Sequence, residues 1–491
     1  MYNDTRHGGL RVQELAPVVA RTELAAGGLL VLVVVAGALM GLIPSVVAAL
    51  IVVAGIAVWG IATAREWRTA SLRVREASGA IMAILIVALV GVMVFPHAGA
   101  GQPATSLNAA PSAAPGTPGT PATSAAPSLP EPQPPILEAP VPTPVTTDFT
   151  TAGSMAIARD GHTATLLPNG AVLVAGGHGA DETRSYATAE LFDPAAGTFS
   201  PTGSMAQERW QHTATSLGDG SGRVLVVGGF DDQTQKTTTS AELYDPATGK
   251  FSPTGSLSQA RYGQTATLLA DGRVLIAGGQ SRALALNSAE IYDPKTAAFT
   301  PTGAMAQSRF GQAATLLPSG KVLVTGGYNA AQTWLASAEL FDPATGKFSP
   351  TGSMESTRVY HASILLATGR VLISGGGSRQ GFGQSLSSAE IYDPATGKFS
   401  PTGSMTDPRA WHSASTLADG RVLIAGGQKG MHGAFISSAE VFDPLTDRFT
   451  AAGSMHVARS NQTVTALSDG RSLIAGGDDG SGKLSSAELF G

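Results

Sequence analysis

The sequence contains no cysteine, which removes disulfides, thiolate metal sites and a cysteine nucleophile from its chemistry. Charge is sparse as well: Asp, Glu, Lys and Arg make up 14% of the residues, and 31 cations against 36 anions leave a net charge of −5. The cations are scattered, which excludes a nucleic-acid partner held through phosphate contacts. Residues 24–64 carry no charged side chain at all, and residues 98–148 have no Lys or Arg but 13 prolines. Without disulfides an exported domain must hold together by packing alone, a pattern that fits a bacterial envelope protein.

An uncharged run of about forty residues would make one helix of roughly 60 Å, about twice the hydrocarbon thickness of a bilayer. Gly41 and Pro44 lie near its midpoint and divide it. Spans are therefore expected at 25–43 and 46–64, and a third apolar run at 79–96 is long enough to cross once more. Arg6, Arg11 and Arg21 precede the first span, and Arg65, Arg68, Arg73 and Arg75 separate the second from the third. Cations of this kind are retained in the cytoplasm. The expected topology is a multi-pass plasma-membrane protein with residues 1–23 cytoplasmic, residues 24–97 in the membrane and everything later outside. The first 23 residues are polar and include acidic groups, unlike a cleaved signal peptide. Residues 98–148 read as a disordered spacer rich in Pro, Ala, Ser and Thr, spanning about 40 Å as a coil or about 150 Å as polyproline.

Residues 149–491 are seven copies of one pattern about fifty residues long. Each copy has an arginine (Arg159, Arg209, Arg261, Arg309, Arg358, Arg409, Arg459), a Gly-Gly pair (Gly176 and Gly177 in the first) and an Ala-Glu pair (Glu190 in the first). Thr-Ala-Thr-Leu, Val-Leu-Ile-Ala, Ala-Glu-Ile-Tyr and Lys-Phe-Ser-Pro read as four short strands separated by turn signals. The Val-Leu-Ile-Ala runs are continuously apolar, as expected of a strand covered on both faces. Pro201, Pro253, Pro301, Pro350 and Pro401 fall in the fourth strand, and proline lacks the N–H an interior strand needs, so this strand belongs at the sheet edge.

The pattern resembles the kelch family, in which a Gly-Gly pair ends the second strand and an aromatic pair marks the third and fourth. Tyr244, Tyr292, Tyr392, Phe192, Phe341, Phe442 and Phe490 stand at the first aromatic position. Phe199, Phe251, Phe299, Phe348, Phe399 and Phe449 stand at the second, where the family usually has Trp. The resemblance implies an all-β, seven-bladed kelch-type β-propeller. The last repeat stops after its third strand, while residues 149–155 are a stray fourth strand aligning with residues 199–205, so the N-terminal strand is expected to complete the seventh blade.

Features present in every blade, such as Arg159, Glu190 and the Gly176–Gly177 pair, are expected to serve the fold, through an Arg-to-Glu bond and turns at positive φ. In kelch-like propellers the loops bearing the arginines and those after Gly-Gly share one face. Trp210, Tyr262, Phe310, Tyr360 and Trp411 vary beside the arginines, and Tyr328 and Trp334 lie in the second loop set together with Phe382. These are the candidate ligand-binding residues, suited to a protein or a glycan. His162, His212, His361 and His412, with Gln264, Gln312 and Gln462 at the equivalent places, are expected to cap strand ends rather than hold a metal. Asp478 and Asp479 resemble a calcium loop only faintly and read as a turn. No metal or cofactor is expected. The leading function is a membrane-anchored binding or scaffold module, with a galactose-oxidase-like enzyme or a membrane sensor as alternatives; the family's copper radical site uses a Tyr–Cys cross-link that a cysteine-free chain cannot make.

Overall fold

The computed structural model describes residues 148–179, 184–282, 284–378, 384–430 and 433–491. The three expected spans, the linker up to residue 147 and Phe382 lie outside the described residues.

Seven antiparallel four-stranded sheets form the blades of a propeller. Blade 1 consists of Thr163–Leu166, Val172–Ala175, Ala189–Asp193 and Thr198–Pro201 in order from axis to edge. Every residue of the second strand is buried in each blade, because both faces of that strand meet a neighbouring sheet. Leu173 and Ala175 of blade 1 thus pack against Val224, Val226 and Tyr244 of blade 2. The fourth strand is the outer edge, where exposed Lys250, Lys347, Lys398 and Arg448 together with the prolines discourage pairing with another chain. Phe at the second aromatic position packs against the aromatic ring of the third strand, with ring centroids 4.8–4.9 Å apart in six blades.

The ring closes as the stray strand implied. Phe149–Thr151 pairs with Ala487–Phe490 in the register Phe149 to Phe490, and those two rings lie 5.0 Å apart. A second closure runs through the Gly-Gly turns. The second glycine of each pair donates its N–H to the carbonyl of the next blade's arginine, from Gly177 to Arg209 at 2.9 Å round to Gly477 to Arg159 at 3.0 Å. Both glycines of every pair have positive φ, and a Cβ on Gly176 would stand 2.6 Å from the Arg209 carbonyl, so a larger residue has no place there.

The arginine and Gly-Gly loops lie together on one face, here the rim face. The Asp-Pro hairpins lie on the opposite face. Phe149 pairs with the last residue of the neighbouring third strand, so the strand that closes the ring starts on the hairpin face.

A candidate binding site at the channel mouth

The seven arginines are internal braces. Each is at most 1% exposed. Arg159 donates to the Gly176 carbonyl at 2.7 Å, to the Thr188 carbonyl at 3.1 Å and to Glu190 at 2.9 Å. Glu190 in turn accepts the Ala156 N–H at 2.8 Å. One charge pair therefore ties the incoming loop, the Gly-Gly turn and the third strand of its own blade. Burial lowers the arginine pKa and the glutamate opposes that shift. These groups are not available to a ligand.

The residues that differ between blades stand two places after each arginine: Gly161, Gln211, Gly263, Gly311, Tyr360, Trp411 and Asn461. All seven have φ between 48° and 66°. Three are glycine, for which this conformation is free, but two carry large rings, for which it is strained by about 1–3 kcal/mol each. Their peptides link from blade to blade around the axis: the N–H of Gln211 donates to Gly161, Gly263 to Gln211, Tyr360 to Gly311, Trp411 to Tyr360 and Asn461 to Trp411, at 2.8–3.2 Å. The circle is broken between Gly263 and Gly311 and between Asn461 and Gly161.

Aromatic rings follow the same circle. His178 stacks on Trp210 at 5.1 Å, and contacts then pass from Trp210 to Phe230, Tyr262, Phe310 and Tyr360, ending in a stacked Tyr360–Trp411 pair at 4.8 Å. Tyr328 joins at Phe310, 5.2 Å away, and donates its hydroxyl to Gln280. Burial pushes the Tyr328 phenol up to about 12 and the Tyr360 phenol higher still, so both remain protonated hydrogen-bonding groups. Six of the seven candidate ligand residues are thus brought together. Phe310 is only 4% exposed and supports the others from beneath. Trp334 stands apart: its ring covers Gly377 and it joins Tyr328 through a backbone bridge.

Between the arc and the axis lies a pocket of about 210 Å³. Its walls are the carboxamides Gln211, Gln264, Gln312 and Asn461 and the rings of Phe310, Tyr360 and Trp411, with His212 and the two glycines at the broken link. Below it the axial channel holds about 410 Å³ among small side chains such as Ala164, Ala214 and Ala414. The rest of the rim is ionic. Lys483 of blade 7 lies 3.2 Å from Asp160 of blade 1, and Asp160 and Asp232 flank His178 at 3.5 Å each. Lys483 also binds Asp478. The Asp479 carboxylate accepts N–H groups of its own turn, from Ser481 and Gly482. Gln211 and Asn461 were not singled out from sequence; the signal was a non-glycine at a position that is glycine in three repeats.

Residues 220–258, 261–305, 309–355, 358–406 and 412–456 match the kelch motif. With the seven-bladed ring, they place the repeat region of this chain in the kelch-repeat propeller family. Among solved structures, a fungal alcohol oxidase of the AA5 family in complex with copper is similar over 70% of this chain and 76% of that one, at 18% identity and a TM-score of 0.58. At that identity the likeness is one of fold. No curated protein matches the chain.

The described residues do not fit a copper centre. The four axial histidines turn their Nε2 atoms onto hydroxyls, His162 to Thr463, His212 to Thr163, His361 to Thr325 and His412 to Ser374, at 2.8–3.1 Å. Each joins neighbouring blades and does not converge with the others. Among the described residues no three His, Asp or Glu side chains are grouped to hold a metal ion.

Proposed function

We propose that this chain is a binding module, displayed outside a membrane, that takes a protein or glycan ligand on the rim face. One observation carries the reading: variable aromatic residues that lie far apart in sequence form a continuous arc over blades 2–6, edged by carboxamides and held partly by strained backbone. Features serving the fold recur in every blade, whereas these differ, as a surface shaped for an asymmetric partner requires. Aromatic residues with hydrogen-bonding neighbours supply the central contacts of many interfaces. The spans expected at 25–43, 46–64 and 79–96 and the proline-rich linker would provide the tether.

Screening the full-length chain against glycan and protein arrays tests the module, with Trp210→Ala expected to reduce any specific signal at least tenfold. Binding that survives substitution of Trp210, Tyr262 and Trp411 together would refute the rim assignment. The cysteine-free sequence makes the tether testable as well. Leu445→Cys, at a residue 88% exposed in a hairpin, should react with a membrane-impermeant maleimide in intact cells. Labelling only after lysis would contradict the topology.

A further inference from the structure

We infer that the mouth pocket is a subsite for a single neutral sugar ring, an assignment that rests on the binding module above and narrows it to one chemical class. The pocket opens where the circle of peptides is broken. There the Gly311 N–H and the Gly263 carbonyl, adjacent in the ring, make no hydrogen bond among the described residues. Deeper in, Gln264 and Gln312 are more than nine-tenths buried, at 5% and 9% exposure. Their Nε2 atoms donate to the carbonyls of Val227 and Ala277 at 2.8 and 3.1 Å, which fixes the orientation of each amide. The Oε1 atoms are left without a hydrogen-bond partner, as is that of Gln462 at the equivalent place in blade 7; of these three glutamines, Gln264 and Gln312 line this pocket.

The lining therefore offers donors and acceptors side by side but no ionised group. Hydroxyls, which both donate and accept, match such a site. The charges of the braces and of the rim are spent on one another: Arg261 serves Glu290, Arg309 serves Glu339, and Lys483 serves Asp160 and Asp478. A carboxylate or ammonium entering the pocket would lose its hydration without gaining a counter-charge. The opposite wall is aromatic. A pyranose presents a band of C–H groups to such a wall while its edge carries hydroxyls toward the amides. At about 210 Å³ the pocket is smaller than the roughly 300–1,000 Å³ that takes drug-sized ligands, which limits the occupant to about one ring. Left-handed backbone at Tyr360 and Trp411 places strain beside this pocket, where preorganisation of the rings would offset it.

The repeats supply variants that should fold. Asn461 and Gln211 already hold the backbone conformation of Trp411 and Tyr360, so W411N and Y360Q import a residue the fold accepts. The full-length chain is titrated, by saturation-transfer NMR and calorimetry, with methyl glucopyranoside, galactopyranoside and mannopyranoside, each beside its uronic acid and its amino sugar. At least one neutral glycoside is expected to bind with a millimolar or tighter dissociation constant. Its charged counterparts should bind at least tenfold more weakly, and W411N and Y360Q should each weaken binding at least tenfold while retaining cooperative unfolding. Equal affinity for the charged sugars overturns the assignment, as does glycoside binding that both variants leave intact. If no glycoside binds but a polypeptide does, and Trp210→Ala abolishes that binding, the sugar subsite falls while the binding module stands.

Discussion

Acidification should unfold this propeller through its axial histidines. Burial, reinforced by a neighbouring arginine, holds the imidazoles of His162, His361 and His412 down to about 3, and His212 is lowered for the same reasons. Folding thus keeps these rings neutral, while the unfolded chain protonates them near pH 6.5. Their contribution is complete above pH 6.5 and is lost progressively as the pH falls from there toward 3. At pH 5, about 1.5 units below the unfolded value, each histidine held near 3 should cost about 2 kcal/mol, at about 1.4 kcal/mol per unit. Three such groups amount to about 6 kcal/mol, comparable to the roughly 5–15 kcal/mol that stabilises a typical domain. The sequence contains its own control, because Gln264, Gln312 and Gln462 occupy the same place in three other blades and bond the neighbouring strand at 2.8–3.1 Å. Denaturant midpoints measured between pH 7 and 4.5 should fall steeply for the native chain. They should fall far less for a variant with all four histidines changed to glutamine. An unaltered slope in that variant would show that carboxylates, not histidines, govern the acid limit.

Removing residues 149–155 strips the outer strand from blade 7 and exposes the contacts of Phe149 and Met155, each worth about 2–3 kcal/mol; calorimetry should show loss of the single cooperative transition. Arg309→Met leaves Glu339 buried and unpaired, so a loss of about 3–5 kcal/mol is expected, read from denaturant melts. Gly263→Ala places a Cβ 2.4 Å from the Phe310 ring at a φ of 59°, and should lower the melting temperature more than Gly482→Ala, where nothing lies within 4 Å of the added carbon.

The architecture was readable in the chain because a blade is a local unit. Each Gly-Gly pair, Asp-Pro hairpin and edge proline acts within about fifty residues, and the Phe149 segment could be matched to the missing strand by alignment of the repeats. The site was less readable because it is assembled across blades. His162 meets Thr463 across 301 residues, and Lys483 meets Asp160 only once the ring is closed. The aromatic candidates were visible as variable positions, yet nothing local distinguished the buried Phe310 from the half-buried Tyr360, both of which line the pocket. Nor did any local signal show that Gln264 and Gln312, read as strand caps, would also line it. Their role depends on the glycines at 263 and 311, whose missing side chains let the Phe310 and Tyr360 rings lean in.

The rim exists only if all seven blades close into one ring, and the lack of native cysteine allows a direct test. Thr150 and Leu489 are paired across the closing strands, so a chain carrying Thr150→Cys and Leu489→Cys should form an intramolecular disulfide on mild oxidation and melt at a higher temperature than its reduced form. Free thiols after oxidation, or disulfides formed only between chains, would contradict the closed ring and the rim built on it.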